Sequence, residues 1–133
     1  MKITSEQEML DFGKRFAAKA PRIIELVGDV GAGKTTFTRG LAMGLGVTEP
    51  VTSPSFTIMK SYPTSDGRTL VHYDFYRLPD PGLMADDLLD HLANPTNLIV
   101  VEWANTVENL LPPDRTIVSF AYTDDGFREV TIK

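Results

Sequence analysis

From Gly28 to Thr35 the chain reads Gly28-Asp29-Val30-Gly31-Ala32-Gly33-Lys34-Thr35, which satisfies G-x-x-x-x-G-K-[ST] at every fixed position. With glycine at about 7% of average usage, a chance match in a chain this long is on the order of one per cent or less. These residue types suit the holding of a phosphate. Glycines let the backbone wrap an anion without Cβ clashes. Successive N–H groups then converge on it, and the N-terminus of a following helix adds partial positive charge. Lys34 would bridge the β- and γ-phosphates, and Thr35 would place its hydroxyl on Mg²⁺. The candidate nucleotide contacts are therefore Asp29, Gly31, Ala32, Gly33, Lys34, Thr35 and Thr36.

Phosphoryl chemistry also needs a carboxylate to hold or orient the metal and the attacking water. Such a residue usually ends a second buried strand. Glu102 fits, because it closes the apolar run Leu98-Ile99-Val100-Val101. The other candidate is Asp74, within His72-Tyr73-Asp74-Phe75-Tyr76-Arg77, where strand alternation puts it on one face with His72 and Tyr76. Either acid could orient the water, and Asp74 taken alone reads equally as a hydrogen-bonded structural acid. His72 by itself reads as a strand residue, packed or exposed. No arginine finger is evident; Arg39, Arg77 and Arg128 are the candidates in cis, and a partner could supply the cation instead. Neither N-K-x-D nor D-x-x-G, the usual marks of guanine recognition, occurs in the sequence. That shifts the base toward adenine and the nucleotide toward ATP, with the N-terminal helix and C-terminal hairpin available to frame the base.

The elements that must carry these groups follow from periodicity and punctuation. Ser5-Glu6-Gln7-Glu8 is a capping-box pattern ahead of Met9, Phe12 and Phe16, so a helix is expected from about Glu6 to Lys19, ended by Pro21. Ile23 to Val27 reads as a buried strand leading into the phosphate loop. Phe37, Leu41 and Leu45 recur every four residues, giving a helix from about Lys34 to Leu45 capped by Gly46. Val51 to Ser55 is a polar, proline-bearing loop. Phe56 to Tyr62 and Thr69 to Tyr76 are extended around a turn at Asp66-Gly67. Met84, Leu88 and Leu92 suggest a short helix, and Val107, Leu110 and Leu111 one helical turn. Thr116 to Tyr122 and Arg128 to Ile132 form a second hairpin around Asp125-Gly126. Alternating strands and helices with buried apolar strands argue for α/β architecture: a three-layer P-loop NTPase-like fold with a mostly parallel central sheet and antiparallel edge strands.

Composition narrows the function. A chain of 133 residues is expected to be one domain over 1–133. It has no cysteine, which excludes disulfides, thiolate metal sites and a catalytic thiol, and only two histidines. Eighteen acidic against thirteen basic residues give a net charge of −5, a poor endowment for binding nucleic acid unaided. No apolar run has signal-peptide or membrane-spanning length, so a cytoplasmic location is expected.

With these residues in hand, the chain resembles the TsaE (YjeE) family of bacterial tRNA threonylcarbamoyladenosine biosynthesis ATPases. The likeness runs from Gly28 to Leu41 through Val51-Thr52-Ser53-Pro54-Ser55-Phe56-Thr57. It continues in His72 to Leu78 with Asp80-Pro81, then in Val101-Glu102-Trp103 and Leu110-Leu111-Pro112. It implies an ATP- and Mg²⁺-binding subunit that acts with TsaB and TsaD. Those partners transfer a threonylcarbamoyl group to the adenosine beside the anticodon, so tRNA would be met only through the complex. By position, the resemblance implies that Lys34 binds phosphate, that Thr35 and Glu102 ligate Mg²⁺ and that Asp74 is needed for hydrolysis. It also implies that Trp103 is a sensitive neighbour of the site and that Thr52 to Thr57 is a switch-like loop. The family commonly has Thr where this chain has Ser55, and often Pro-Glu-Arg where Ala104-Asn105-Thr106 follow the tryptophan. A small-molecule P-loop kinase is a rival reading, although Pro79 to Asn97 is short for a lid; a nucleotide-dependent interaction switch without significant turnover is another. Treated as an exposed loop lysine, Lys34 contributes little to packing. Lys34→Ala is therefore expected to abolish phosphate release while leaving the circular dichroism spectrum intact, and loss of the folded state would contradict this.

Overall fold

The computed structural model describes residues 1–54, 57–76, 80 and 82–133. A first strand, β1 (Lys2–Ile3), precedes helix α1 (Glu6–Ala17). The Ser5 hydroxyl accepts the Glu8 N–H at 3.1 Å. The Glu8 carboxylate turns back to the Thr4 N–H at 3.0 Å, one residue earlier than a capping box would place it. Bonds from the Thr4 hydroxyl and N–H hold Glu8 below the usual carboxylate range. The helix stops at Ala17, short of Lys19, because the N–H groups of Ala18, Lys19 and Ala20 bond three residues back and tighten the chain ahead of Pro21.

Strand β2 (Ile23–Val27) runs into the glycine loop, and α2 (Lys34–Gly44) leaves it. Gly46, at φ 79°, follows the helix end in the left-handed conformation that closes such helices. Strand β3 (Met59–Pro63) begins later than Phe56, since the Thr57 and Ile58 N–H groups turn back onto the Pro54 carbonyl. Strand β4 (Thr69–Asp74) ends before Tyr76 because the Asp74 carboxylate accepts the Tyr76 N–H at 2.9 Å, a local turn that competes with the ladder. Helix α3 (Leu83–Ala93) and β5 (Asn97–Glu102) follow. Two short 3-10 turns, Ala104–Thr106 and Glu108–Leu110, stand where one helical turn was expected. The hairpin β6 (Thr116–Tyr122) and β7 (Arg128–Ile132) completes the chain.

The seven strands among the described residues form one sheet in the order β1-β7-β6-β2-β5-β4-β3. Its centre, β6, β2, β5 and β4, is parallel, while β3 on one edge and β7 and β1 on the other are antiparallel. Strand β1, whose two residues are too short to show a period, is the one strand absent from the sequence reading. Each face of the sheet is covered, which makes three layers. On one face α1 and α2 bury Phe12, Phe37 and Leu41 against Ile24, Leu98 and Val118. On the other, α3 and the 3-10 turns bury Leu88, Val107 and Leu111 against Val71, Ile99 and Val101. Among the described residues no helix is long and apolar enough to cross a membrane.

The two helices of the first face meet backbone to backbone. A Cβ on Gly40 would lie 2.2 Å from the Leu10 carbonyl oxygen, and one on Gly13 2.5 Å from that of Phe37. Gly40→Ala must therefore spread α1 from α2, and a loss of about 2 kcal/mol or more is expected from urea denaturation. An unchanged midpoint would show that the helices do not approach this closely.

Candidate nucleotide site

The loop that joins β2 to α2 is shaped by its own backbone. The Ala32 N–H closes onto the Asp29 carbonyl at 3.1 Å, and the Phe37 N–H onto that of Gly33 at 2.9 Å. Gly33 stands at φ 106°, where any side chain would be strained, and it has no side chain with which to cap α2. The first N–H groups of an eleven-residue helix thus point toward the loop's concavity, where an anion is the natural partner. Asp29 and Gly31 are exposed, Ala32 is buried, and Gly33, Thr35 and Thr36 are half-buried.

Lys34 departs from the expectation of an exposed loop lysine. It is the first residue of α2 and only 5% exposed. Its ammonium donates to the Gly28 carbonyl and lies 3.9 Å from the centroid of the Trp103 ring. Burial pushes its pKa below the usual lysine value, while the carboxylates of Glu102, Asp74 and Asp29 pull the other way.

Those acids are placed by strand register. Leu26 pairs with Glu102 across β2 and β5, and Glu102 pairs with Asp74 across β5 and β4. The carboxyl ends of three parallel strands therefore stand in one row beside the glycine loop. Both acids are buried, Asp74 at 6% and Glu102 at 3% exposure. The Asp74 N–H donates to the Ile58 carbonyl at 2.8 Å, which fixes the strand end. Glu102 Oε2 lies 2.5 Å from Nε2 of His72, a side chain with no exposed surface. The chain then reverses at Trp103, a non-glycine residue at φ 56°, and its ring packs on Tyr76 with centroids 4.8 Å apart. Backbone outliers of this kind collect at functional sites.

The remaining expected residues are placed as follows. The Thr52 hydroxyl accepts from Lys60 Nζ at 2.5 Å. Ser55 lies outside the described residues, as does Arg77. Arg39 donates to the Val51 carbonyl at 3.2 Å, tying α2 to the start of the switch-like loop. Arg128 donates to the Gly31 carbonyl at 3.2 Å and stacks 4.1 Å over Tyr122, so it braces the glycine loop from the C-terminal hairpin. A cavity of about 360 Å³ opens beside the loop between Ile3, Thr4, Met9, Thr36, Phe127 and Arg128. Two residues carry contacts that the sequence did not disclose: His72, through Glu102, and Tyr76, through Trp103. The only available signal was the alternation His72-x-Asp74-x-Tyr76, which puts all three on one strand face without naming a partner.

The donor set can be tested against Mg²⁺. Among the described residues no group of three His, Cys, Asp or Glu side chains could hold a metal unaided. A hydroxyl from Thr35 with one or two carboxylates is the protein share that Mg²⁺ takes when phosphates supply the other oxygens. The residues present fit that pattern.

Comparison with known proteins bears on the same region. The family model described as TsaE, threonylcarbamoyl adenosine biosynthesis protein TsaE, matches residues 3–130. The tRNA threonylcarbamoyladenosine biosynthesis protein TsaE of Bacillus subtilis strain 168 is 44% identical over 116 residues, covering 86% of this chain and 70% of that protein. The protein of the same name from Streptomyces coelicolor is 40% identical over 131 residues, covering 93% and 88%. A crystal structure of Bacillus subtilis YdiB superposes with a TM-score of 0.79 at 35% identity, covering 99% of this chain and 82% of that one.

Trp103 is the chain's single tryptophan, which makes the Lys34 contact observable. A phosphate drawn into the loop must compete with the Gly28 carbonyl and the indole face for the ammonium. Addition of ADP with Mg²⁺ is therefore expected to change Trp103 emission, and Lys34→Met should shift the emission before any nucleotide is added. Emission indifferent to both would separate the ring from the site.

Proposed function

The chain belongs to the TsaE family of threonylcarbamoyl adenosine biosynthesis proteins, and from that premise we propose that it is a Mg²⁺-dependent ATPase subunit acting with TsaB and TsaD in the cytoplasm. The observation that carries the ATPase reading is the row of buried carboxylates, Asp74 and Glu102, set beside a buried lysine at the mouth of a glycine loop. Two acids desolvated next to each other are costly to hold, which supports a functional role for the pair.

In this reading the loop N–H groups and Lys34 hold the β- and γ-phosphates, with Lys34 exchanging the Gly28 carbonyl for phosphate oxygen. Thr35 and Glu102 would hold Mg²⁺, which when bound neutralises charge building on the transferred phosphoryl group. Asp74 or Glu102 orients the attacking water for displacement of ADP. The cavity between Ile3, Met9 and Phe127 takes the adenine, framed by the N-terminal segment and the C-terminal hairpin. Of the candidate arginines, Arg39 and Arg128 are occupied by backbone carbonyls, which leaves Arg77, outside the described residues, or a partner as the source of any further cation. An acidic chain serves tRNA chemistry through partners that hold the RNA.

Phosphate release measured alone and with TsaB–TsaD tests the proposal. Slow turnover that rises on assembly is expected, and equal turnover in both conditions would overturn it. Asp74→Asn and Glu102→Gln should each lower the assembled rate about 100-fold or more. An unaffected Asp74→Asn variant would leave the water to Glu102.

A further inference from the structure

His72 is fully buried, yet it lies on the site's face of β4 and touches a group the chemistry uses. Leu70, His72 and Asp74 alternate on that face, and the register sets His72 beside Val100 and Asp74 beside Glu102. The imidazole therefore reaches diagonally along the sheet, and its Nε2 meets Glu102 Oε2 at 2.5 Å. Its other nitrogen, Nδ1, is buried and has no hydrogen-bond partner among the described residues. A carboxylate desolvated beside Asp74 needs donors to remain in place.

We propose that His72 is a positioning residue that fixes the Glu102 carboxylate by donating Nε2–H to Oε2, so that Oε1 is presented to the metal. The proposal rests on the reading of Glu102 as a Mg²⁺ ligand. In this arrangement Nε2 is the donor to Oε2, and Nδ1 is the ring atom left without a partner among the described residues. Ligating carboxylates are commonly braced in this way, and loss of such a brace weakens metal affinity about 10- to 100-fold. The bond removes the freedom of a terminal carboxylate torsion that packing alone restrains poorly.

The test uses the full chain with ADP and Mn²⁺ as the paramagnetic probe. His72→Met keeps side-chain bulk and removes the donor, whereas His72→Gln returns an N–H near the position of Nε2. Metal-free ADP affinity should stay within about twofold in both, while Mn²⁺ binding to the ADP complex weakens about tenfold in His72→Met and largely recovers in His72→Gln. A folded His72→Met variant that binds Mn²⁺ as the parent does overturns the proposal, as does a His72→Gln variant as weak as His72→Met. Nitrogen NMR of the parent, which holds only two histidines, decides the matter if His72→Met does not fold. A proton on Nε2 of His72 supports the proposal and an unprotonated Nε2 overturns it. Glu102→Ala separates the two layers of inference. If it abolishes Mn²⁺ binding while both His72 variants bind normally, only the role of His72 fails; if it binds Mn²⁺ normally, the metal role of Glu102 fails and that of His72 with it.

Discussion

Parallel pairing of β2, β5 and β4 aligns Leu26, Glu102 and Asp74 in a single row, and the candidate site is built outward from that row. Because the strands run the same way, their carboxyl ends open on the same edge, where α/β folds place their ligands. The glycine loop leaves β2 at this edge and the acids end the two neighbouring strands. Burial of Lys34 is tolerable only in that setting. A lone ammonium taken out of water costs several kcal/mol, and here three carboxylates, the Gly28 carbonyl and the Trp103 ring offset the loss. The lysine is therefore occupied by protein contacts on the carbonyl and ring sides.

Helix α2 carries this arrangement into the core. Its N-terminus forms the loop, and three residues further on Phe37 is completely buried among Phe12, Phe16 and Phe120. The close approach at Gly13 and Gly40 locks α1 onto the same helix. The glycine loop is thereby mounted on a constrained helix, which leaves it little freedom of its own. Beside it, Arg39 donates to the Val51 carbonyl and Lys60 to the Thr52 hydroxyl.

Charge is distributed to the same end. Lys34 at the site and Arg115 on Glu25 at 2.7 Å beneath the 3-10 turns are turned inward, and half-buried Arg128 lies on the glycine loop. What remains outside is predominantly acidic, in keeping with the net charge of −5. Such a surface repels polyanions.

Local patterns carried the glycine loop, the strand before it, the helix after it and the acid closing β5, because each depends on residues adjacent in the chain. The cap at Ser5 and the turn at Gly46 were legible for the same reason. Boundaries slipped where side chains competed with the backbone, as at Asp74, and β1 was too short to show a period. The sequence by itself determined that a glycine loop would be presented at a strand–helix junction and that acids would stand at strand ends. Only the tertiary structure decided that His72 grips Glu102 from thirty residues away, that Tyr76 packs on Trp103, and that Lys34 is buried. Those contacts arise from strand order and register, which pair residues distant in the chain and leave no trace in the spacing of neighbours.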